Sequence, residues 1–239
     1  MSGTLHRYGP HRSNVAELFL PAGPGPHRVC VLVHGGCWRP RYDRRLMDGL
    51  AADLAARGWA AWNVEYRRVG FRAGGGWPET GDDVAAAIDH VAELDAPLDL
   101  ARVAAVGHSA GGQLVLWAAG RETARVPLTA VVGQAAVSDL ERAAAHGVCG
   151  GMVERLLGGP SGRVPEAYRG ASPAARLPLR VPALLVHGDR DDTVPVAMSR
   201  DFAAAAGCEL AELAGDGHYE HLEPGSRAWA TVVEWLERH

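Results

Sequence analysis

The chain has 239 residues, 47% of them hydrophobic, which suits one globular α/β domain and lies far from a disordered composition. Its 24 basic and 28 acidic side chains leave a formal charge of −4, with no basic stripe, which argues against a nucleic-acid surface. No run approaches the roughly 18 apolar residues of a membrane span. Residues 1–10 lack the apolar stretch of a secretory signal, so a cytoplasmic location is the expectation.

Two short extended stretches in the first 28 residues, around Leu5 and at 18–20, are separated by turn residues and predict an antiparallel edge hairpin. The unbroken apolar run at 29–33 reads as a strand buried on both faces. Leu46, Leu50 and Leu54 recur at four-residue spacing and predict a helix ending near Gly58. A strand follows at 60–66. Gly74, Gly75 and Gly76 form a turn before Pro78, a residue suited to a first helical turn, and Val84, Ile88 and Val91 continue that helix. Strands are expected at 103–106, around Val131, at 183–186 and at 209–213, with helices at 114–119, 196–206 and around Trp229, Val232, Val233 and Leu236.

This alternation specifies a mostly parallel sheet covered by helices on both faces, in a single domain over 1–239. The stretch 138–181 breaks the rhythm with weak helical pattern and many Gly and Pro residues. It is too long for a plain connection, and a small cap or lid beside the site is expected there.

Gly107-His108-Ser109-Ala110-Gly111 follows the 103–106 strand and opens a helix. A nucleophilic serine must be raised from the sheet on a sharp turn, and small neighbours let strand and helix approach. The helix N-terminus then favours negative charge developing beside the hydroxyl. A serine hydroxyl needs a base to take its proton. Of eleven histidines, His218 is best placed, in the loop between the last strand and the final helix, whereas His221 reads as a solvated loop residue. The base needs an acid, and Asp189, Asp191 and Asp192 all follow the 183–186 strand, so spacing leaves the choice among them open.

His34-Gly35-Gly36-Cys37-Trp38 follows the first buried strand, where a second oxyanion donor is required. The amides of Gly36, Cys37 and Ala110 are the candidates for the oxyanion hole. Trp38 and Trp77, near the carboxyl edges of strands, are candidates for lining a substrate pocket, with helix–sheet packing as the competing role. Glu65, Tyr66 and Arg67 are expected in an internal ion pair or hydrogen bond. His6, His11 and His27 lack metal-ligand spacing and read as surface residues. The cysteines Cys30, Cys37, Cys149 and Cys208 are widely spaced, so reduced thiols are expected and the Cys37 side chain is expected simply to pack.

These motifs together resemble the α/β-hydrolase superfamily, and within it the compact esterase/lipase branch that includes kynurenine formamidase-like enzymes and small carboxylesterases. The resemblance implies Ser109, Asp191 and His218 as the triad. It implies hydrolysis of a small carboxylic ester through an acyl-enzyme, with no metal and no organic cofactor. Arylformamidase activity on an N-formyl aromatic amide, suggested by His-Gly-Gly-x-Trp, and a non-catalytic binding role are the alternatives. The expected partner is a small-molecule ester or amide rather than nucleic acid or membrane, with a homodimer left open.

Overall fold

The computed structural model describes residues 3–239 as one eight-stranded sheet with helices on both faces. The strands are β1 (Thr4–Arg7), β2 (Val15–Phe19), β3 (His27–Val33), β4 (Ala60–Val64), β5 (Leu98–His108), β6 (Ala130–Gln134), β7 (Ala183–Gly188) and β8 (Glu209–Leu213). Their order across the sheet is β1-β2-β4-β3-β5-β6-β7-β8. The β1/β2 hairpin is antiparallel, as is its junction with β4, and every other pairing is parallel.

Side chains alternate along each central strand between two cores. Val29, Val31 and Val33 of β3 join one core, while Cys30 and Leu32 join the other. A strand buried on both faces leaves few polar positions, which is why 29–33 of β3, 103–106 of β5 and 183–186 of β7 read as continuous apolar runs. The first core is closed by α2 (Glu79–His90), α3 (Ala110–Ala119) and α7 (Val196–Ala206), and the second by α1 (Asp48–Ala56) and α8 (Arg227–Leu236). Ser226 caps α8 by accepting the Trp229 N–H, and the helix buries Trp229, Val232, Trp235 and Leu236 completely or nearly so. Each such side chain contributes about 1.5–3 kcal/mol relative to exposure. A turn of 3₁₀ helix at Arg44–Met47 takes in Leu46, so α1 begins two residues after it.

The 138–181 stretch is more ordered than its composition suggests, with α4 (Leu140–Ala145), α5 (Met152–Leu157) and α6 (Pro165–Ala171). Asp139 caps α4 by accepting two backbone N–H groups. The three helices pack on the α2/α3 side of the sheet, where Trp117 donates to the Gly170 carbonyl.

One expectation is corrected here. Cys37 and Cys149 form a disulfide, while Cys30 and Cys208 are free thiols. The partners stand 112 residues apart, so no local spacing betrays the pair, and their Cα atoms come within 5.5 Å only when α4 and α5 fold back. Such bonds persist in oxidising surroundings. Among the described residues no helix is long and apolar enough to cross a membrane.

Candidate active site

β5 ends at His108, and α3 begins at Ala110, so Ser109 carries the whole reversal of direction. Its backbone sits at φ 54°, ψ −116°, a region that L-residues seldom occupy. The turn is this tight because a Cβ on Gly107 would lie 2.2 Å from the Gly111 carbonyl oxygen. The Ser109 N–H donates to the Gln134 carbonyl on β6 at 2.8 Å, fixing the turn to the neighbouring strand. Ala110 opens α3, whose first N–H groups have no partner within the helix.

The loop expected to supply oxyanion donors leaves β3 through three consecutive residues at positive φ: Gly36 at 104°, Cys37 at 51° and Trp38 at 55°. A non-glycine residue held there is strained and persists only where its surroundings over-determine it. Three ties do so. Cys37 is bonded to Cys149. Trp38 Nε1 donates to Gln113 Oε1 on α3 at 3.3 Å. Beneath the loop, His34 Nε2 lies 3.1 Å from Glu65 Oε1, and the Tyr66 hydroxyl donates to the His34 carbonyl while its ring stacks on His34. Burial opposes the Glu65 charge, but His34 and Arg68 outweigh it and hold the carboxyl below its ordinary range. Arg67, the third residue of the run, pairs with Asp83 on α2.

The loop after β7 separates the three aspartates by what each touches. Asp189 accepts the Gly215 N–H, Asp192 accepts only the Thr193 hydroxyl, and Asp191 reaches a histidine. His218 Nδ1 lies 2.6 Å from Asp191 Oδ2, and His187 Nε2 lies 3.1 Å from the same oxygen. The other oxygen, Oδ1, accepts the N–H groups of Thr193 and Val194, both at 2.8 Å. Desolvation alone would raise the Asp191 pKa, yet the bonds from His187 and His218 outweigh it and keep the carboxyl ionised far below the usual range.

Ser109 and His218 line one cavity of about 220 Å³, together with Gly36, Cys37 and His108. Two histidines unassigned from the sequence support it. His108, the second residue of the elbow, points Nε2 at the His218 carbonyl at 2.8 Å and so holds the loop that carries His218. His187 braces Asp191, and its Nδ1 lies 2.7 Å from the Ser199 hydroxyl on α7. Their only sequence signal was proximity to a motif.

Three readings change. His221 is fully buried rather than solvated, because the 3₁₀ turn Glu220–Leu222 folds it under the site. Trp38 is also fully buried: its positive φ turns the side chain into the core. Trp77 packs edge-on against Trp117, with ring centroids 5.0 Å apart. Neither tryptophan lines the cavity beside Ser109, nor does any residue of 138–181; that stretch is tied to the cavity wall through the bond of Cys149, in the loop between α4 and α5, to Cys37. His6, His11 and His27 are half-buried, with His6 packed edge-on against Trp62.

Sheet order, elbow and loop positions define a protein of the α/β-hydrolase superfamily. More narrowly, the chain belongs to the BD-FAE family, whose model matches residues 17–206. It is 29% identical to Esterase LipC of Mycobacterium tuberculosis over 250 residues, covering 89% of this chain. The chain spans 57% of the length of that relative. Among solved structures it is similar to a thermophilic esterase of the planctomycete Thermogutta terrifontis, at 25% identity and a TM-score of 0.76, over 99% of this chain and 91% of that one. Esterase B of Lactobacillus Rhamnosis shares the fold, with a TM-score of 0.80 at 19% identity, over 100% of this chain and 83% of that one.

Proposed function

We propose that this chain is a serine esterase that cleaves a small carboxylic ester through an acyl-enzyme. The observation that carries the reading is a hydroxyl on a strained elbow sharing one cavity with an imidazole whose Nδ1 is held 2.6 Å from a buried carboxylate. The similarity to proteins named as esterases supports it.

In this mechanism Ser109 Oγ attacks the ester carbonyl carbon as His218 Nε2 takes the hydroxyl proton. Asp191 keeps the proton of His218 on Nδ1 and stabilises the imidazolium without itself being protonated. The amides of Ala110, Gly36 and Cys37 receive the oxyanion. His218 returns the proton to the departing alcohol. It then deprotonates a water, which attacks the acyl carbon and releases the acid and Ser109. The cavity volume, below the 300–1,000 Å³ typical of drug-sized ligands, fits a short acyl or alcohol group. The tryptophan of the motif that suggests a formamidase lies in the core, away from this cavity.

A fluorophosphonate probe followed by peptide mass spectrometry tests the reading. The expected result is one adduct, on Ser109, with p-nitrophenyl acetate hydrolysis lost in step with labelling. An unlabelled Ser109, with the hydrolysis rate untouched in Ser109→Ala, would refute it.

A further inference from the structure

The side of the cavity opposite in sequence to the triad is built by the segment just after the strained donor loop. Arg39, Arg41 and Tyr42 line it there, and no Asp or Glu lines it anywhere among the described residues. In a chain of net charge −4 this is a local inversion of sign.

The neighbouring arginines are neutralised. Arg44 pairs with Glu17, Arg45 with Asp43 and Arg68 with Glu65. Arg39 and Arg41 have no carboxylate partner among the described residues. Arg39 is half-buried; it donates from Nη2 to the Cys149 carbonyl at 2.8 Å, and its buried Nε has no protein acceptor. Arg41 is exposed, with its guanidinium 4.7 Å from the centroid of the Tyr42 ring. That ring packs on Gly36 so closely that a Cβ there would fall 2.4 Å from it. One aromatic side chain therefore touches the donor loop and carries a cation.

A partly desolvated guanidinium without a counter-ion is costly to keep, and it is the side chain best shaped to hold a carboxylate through paired N–H donors. We propose that Arg39 and Arg41 form an anion subsite beside Ser109, and that the preferred substrates are small esters bearing a carboxylate elsewhere in the molecule. The inference rests on the serine-esterase reading and names its substrate class. The subsite binds the carboxylate as a spectator, and the ester bond is cleaved by the steps given above. Cys149 takes part by fixing Arg39, so the disulfide holds the subsite as well as the donor loop.

Two matched pairs of esters test it at low ionic strength, with acid release followed by pH-stat. One pair carries the anion on the alcohol side, 3-acetoxybenzoate against phenyl acetate. The other carries it on the acyl side, monoethyl glutarate against ethyl valerate. In at least one pair kcat/KM for the anionic ester is expected to exceed its neutral counterpart by about tenfold, the worth of one charge-assisted hydrogen bond. That ratio is expected to fall toward one in Arg41→Gln and in Arg39→Gln, and to shrink as salt is raised.

Cleavage of the neutral esters with no anionic preference in either pair overturns the subsite and leaves the esterase reading standing. An anionic preference that both glutamine variants keep overturns the subsite in the same way. Failure to cleave any of the four esters counts against the esterase reading and this inference together.

Discussion

His187 Nε2 and Asp191 Oδ2 lie 3.1 Å apart, and that oxygen is the one His218 Nδ1 also reaches. Nε2 of His187 faces a second acceptor too, the Val194 carbonyl at 2.9 Å, so the ring proton belongs on Nε2. Nδ1 then accepts from the Ser199 hydroxyl. A hydroxyl on α7, two imidazoles and one carboxylate thus form a chain that ends at His218, which shares a cavity with Ser109.

His187 is a positioning residue in that chain, and its loss should act on turnover rather than on binding. Removing one hydrogen bond to a charged group costs about 1.5–3 kcal/mol, so His187→Leu is expected to lower kcat roughly tenfold to hundredfold with KM little changed. Ser199→Ala should lower it by less. Steady-state kinetics on p-nitrophenyl acetate decide the matter: a wild-type kcat in His187→Leu, or a loss confined to KM, rules the role out.

Asp191→Asn should cost far more. An amide offers its NH₂ to the imidazole and favours the wrong tautomer, a change worth about 10⁴ in kcat in a serine-protease triad. Parallel substitutions of Asp189 and Asp192 serve as controls, since neither side chain touches a histidine. Equal losses in all three variants would mean that the loop as a whole, and not this carboxylate, sets the activity.

The Cys37–Cys149 bond closes a segment of 112 residues; chain-entropy arguments give about 5 kcal/mol for such a loop, of which disulfides typically deliver about 2–4 kcal/mol. For a domain of this size Cys149→Ala is therefore expected to lower Tm by roughly 5–15 °C. The same fall should follow from reducing the wild-type protein, and reductant should leave the melting curve of the variant alone. Identical wild-type curves with and without reductant would show that the bond adds nothing.

His221 and His108 supply a pH dependence of known sign. Both are buried, and desolvation, reinforced by the neighbouring histidines, holds His221 down to about 4 and His108 well below its ordinary value. Unfolded histidines titrate near 6.5, so between pH 6.5 and 4 the unfolded chain binds the more protons. The stability these neutral rings provide is complete above about pH 6.5 and is lost as pH falls toward about 4. Denaturant midpoints should drop across that window. The drop should be smaller in His221→Phe, which removes a titrating ring whose two nitrogens have no protein partner. A slope equal to that of the wild type would show that His221 does not contribute to it.

Much of the architecture was legible because it is written locally. Apolar runs at 29–33 and 183–186 mark strands buried on both faces, and a G-x-S-x-G sequence between a strand and a helix permits one turn geometry. The order of elbow, aspartate loop and histidine loop also lies open in the chain. The antiparallel edge at β1 and β2 was readable too, from two extended stretches set apart by turn residues.

What only the tertiary structure decided are the contacts between segments remote in sequence. Periodicity says that a side chain is apolar, but not which remote thiol meets Cys37, nor that three positive φ angles turn Trp38 inward. It made His221 look solvated, because nothing in a histidine's neighbours along the chain reports what will pack over it. Nothing in the sequence sets Arg39 and Arg41 apart; only the fold shows that no carboxylate among the described residues pairs with them. Backbone sterics and hydrophobic pattern act over a few residues and fix the elements; pairing, burial and charge balance are sums over the whole fold.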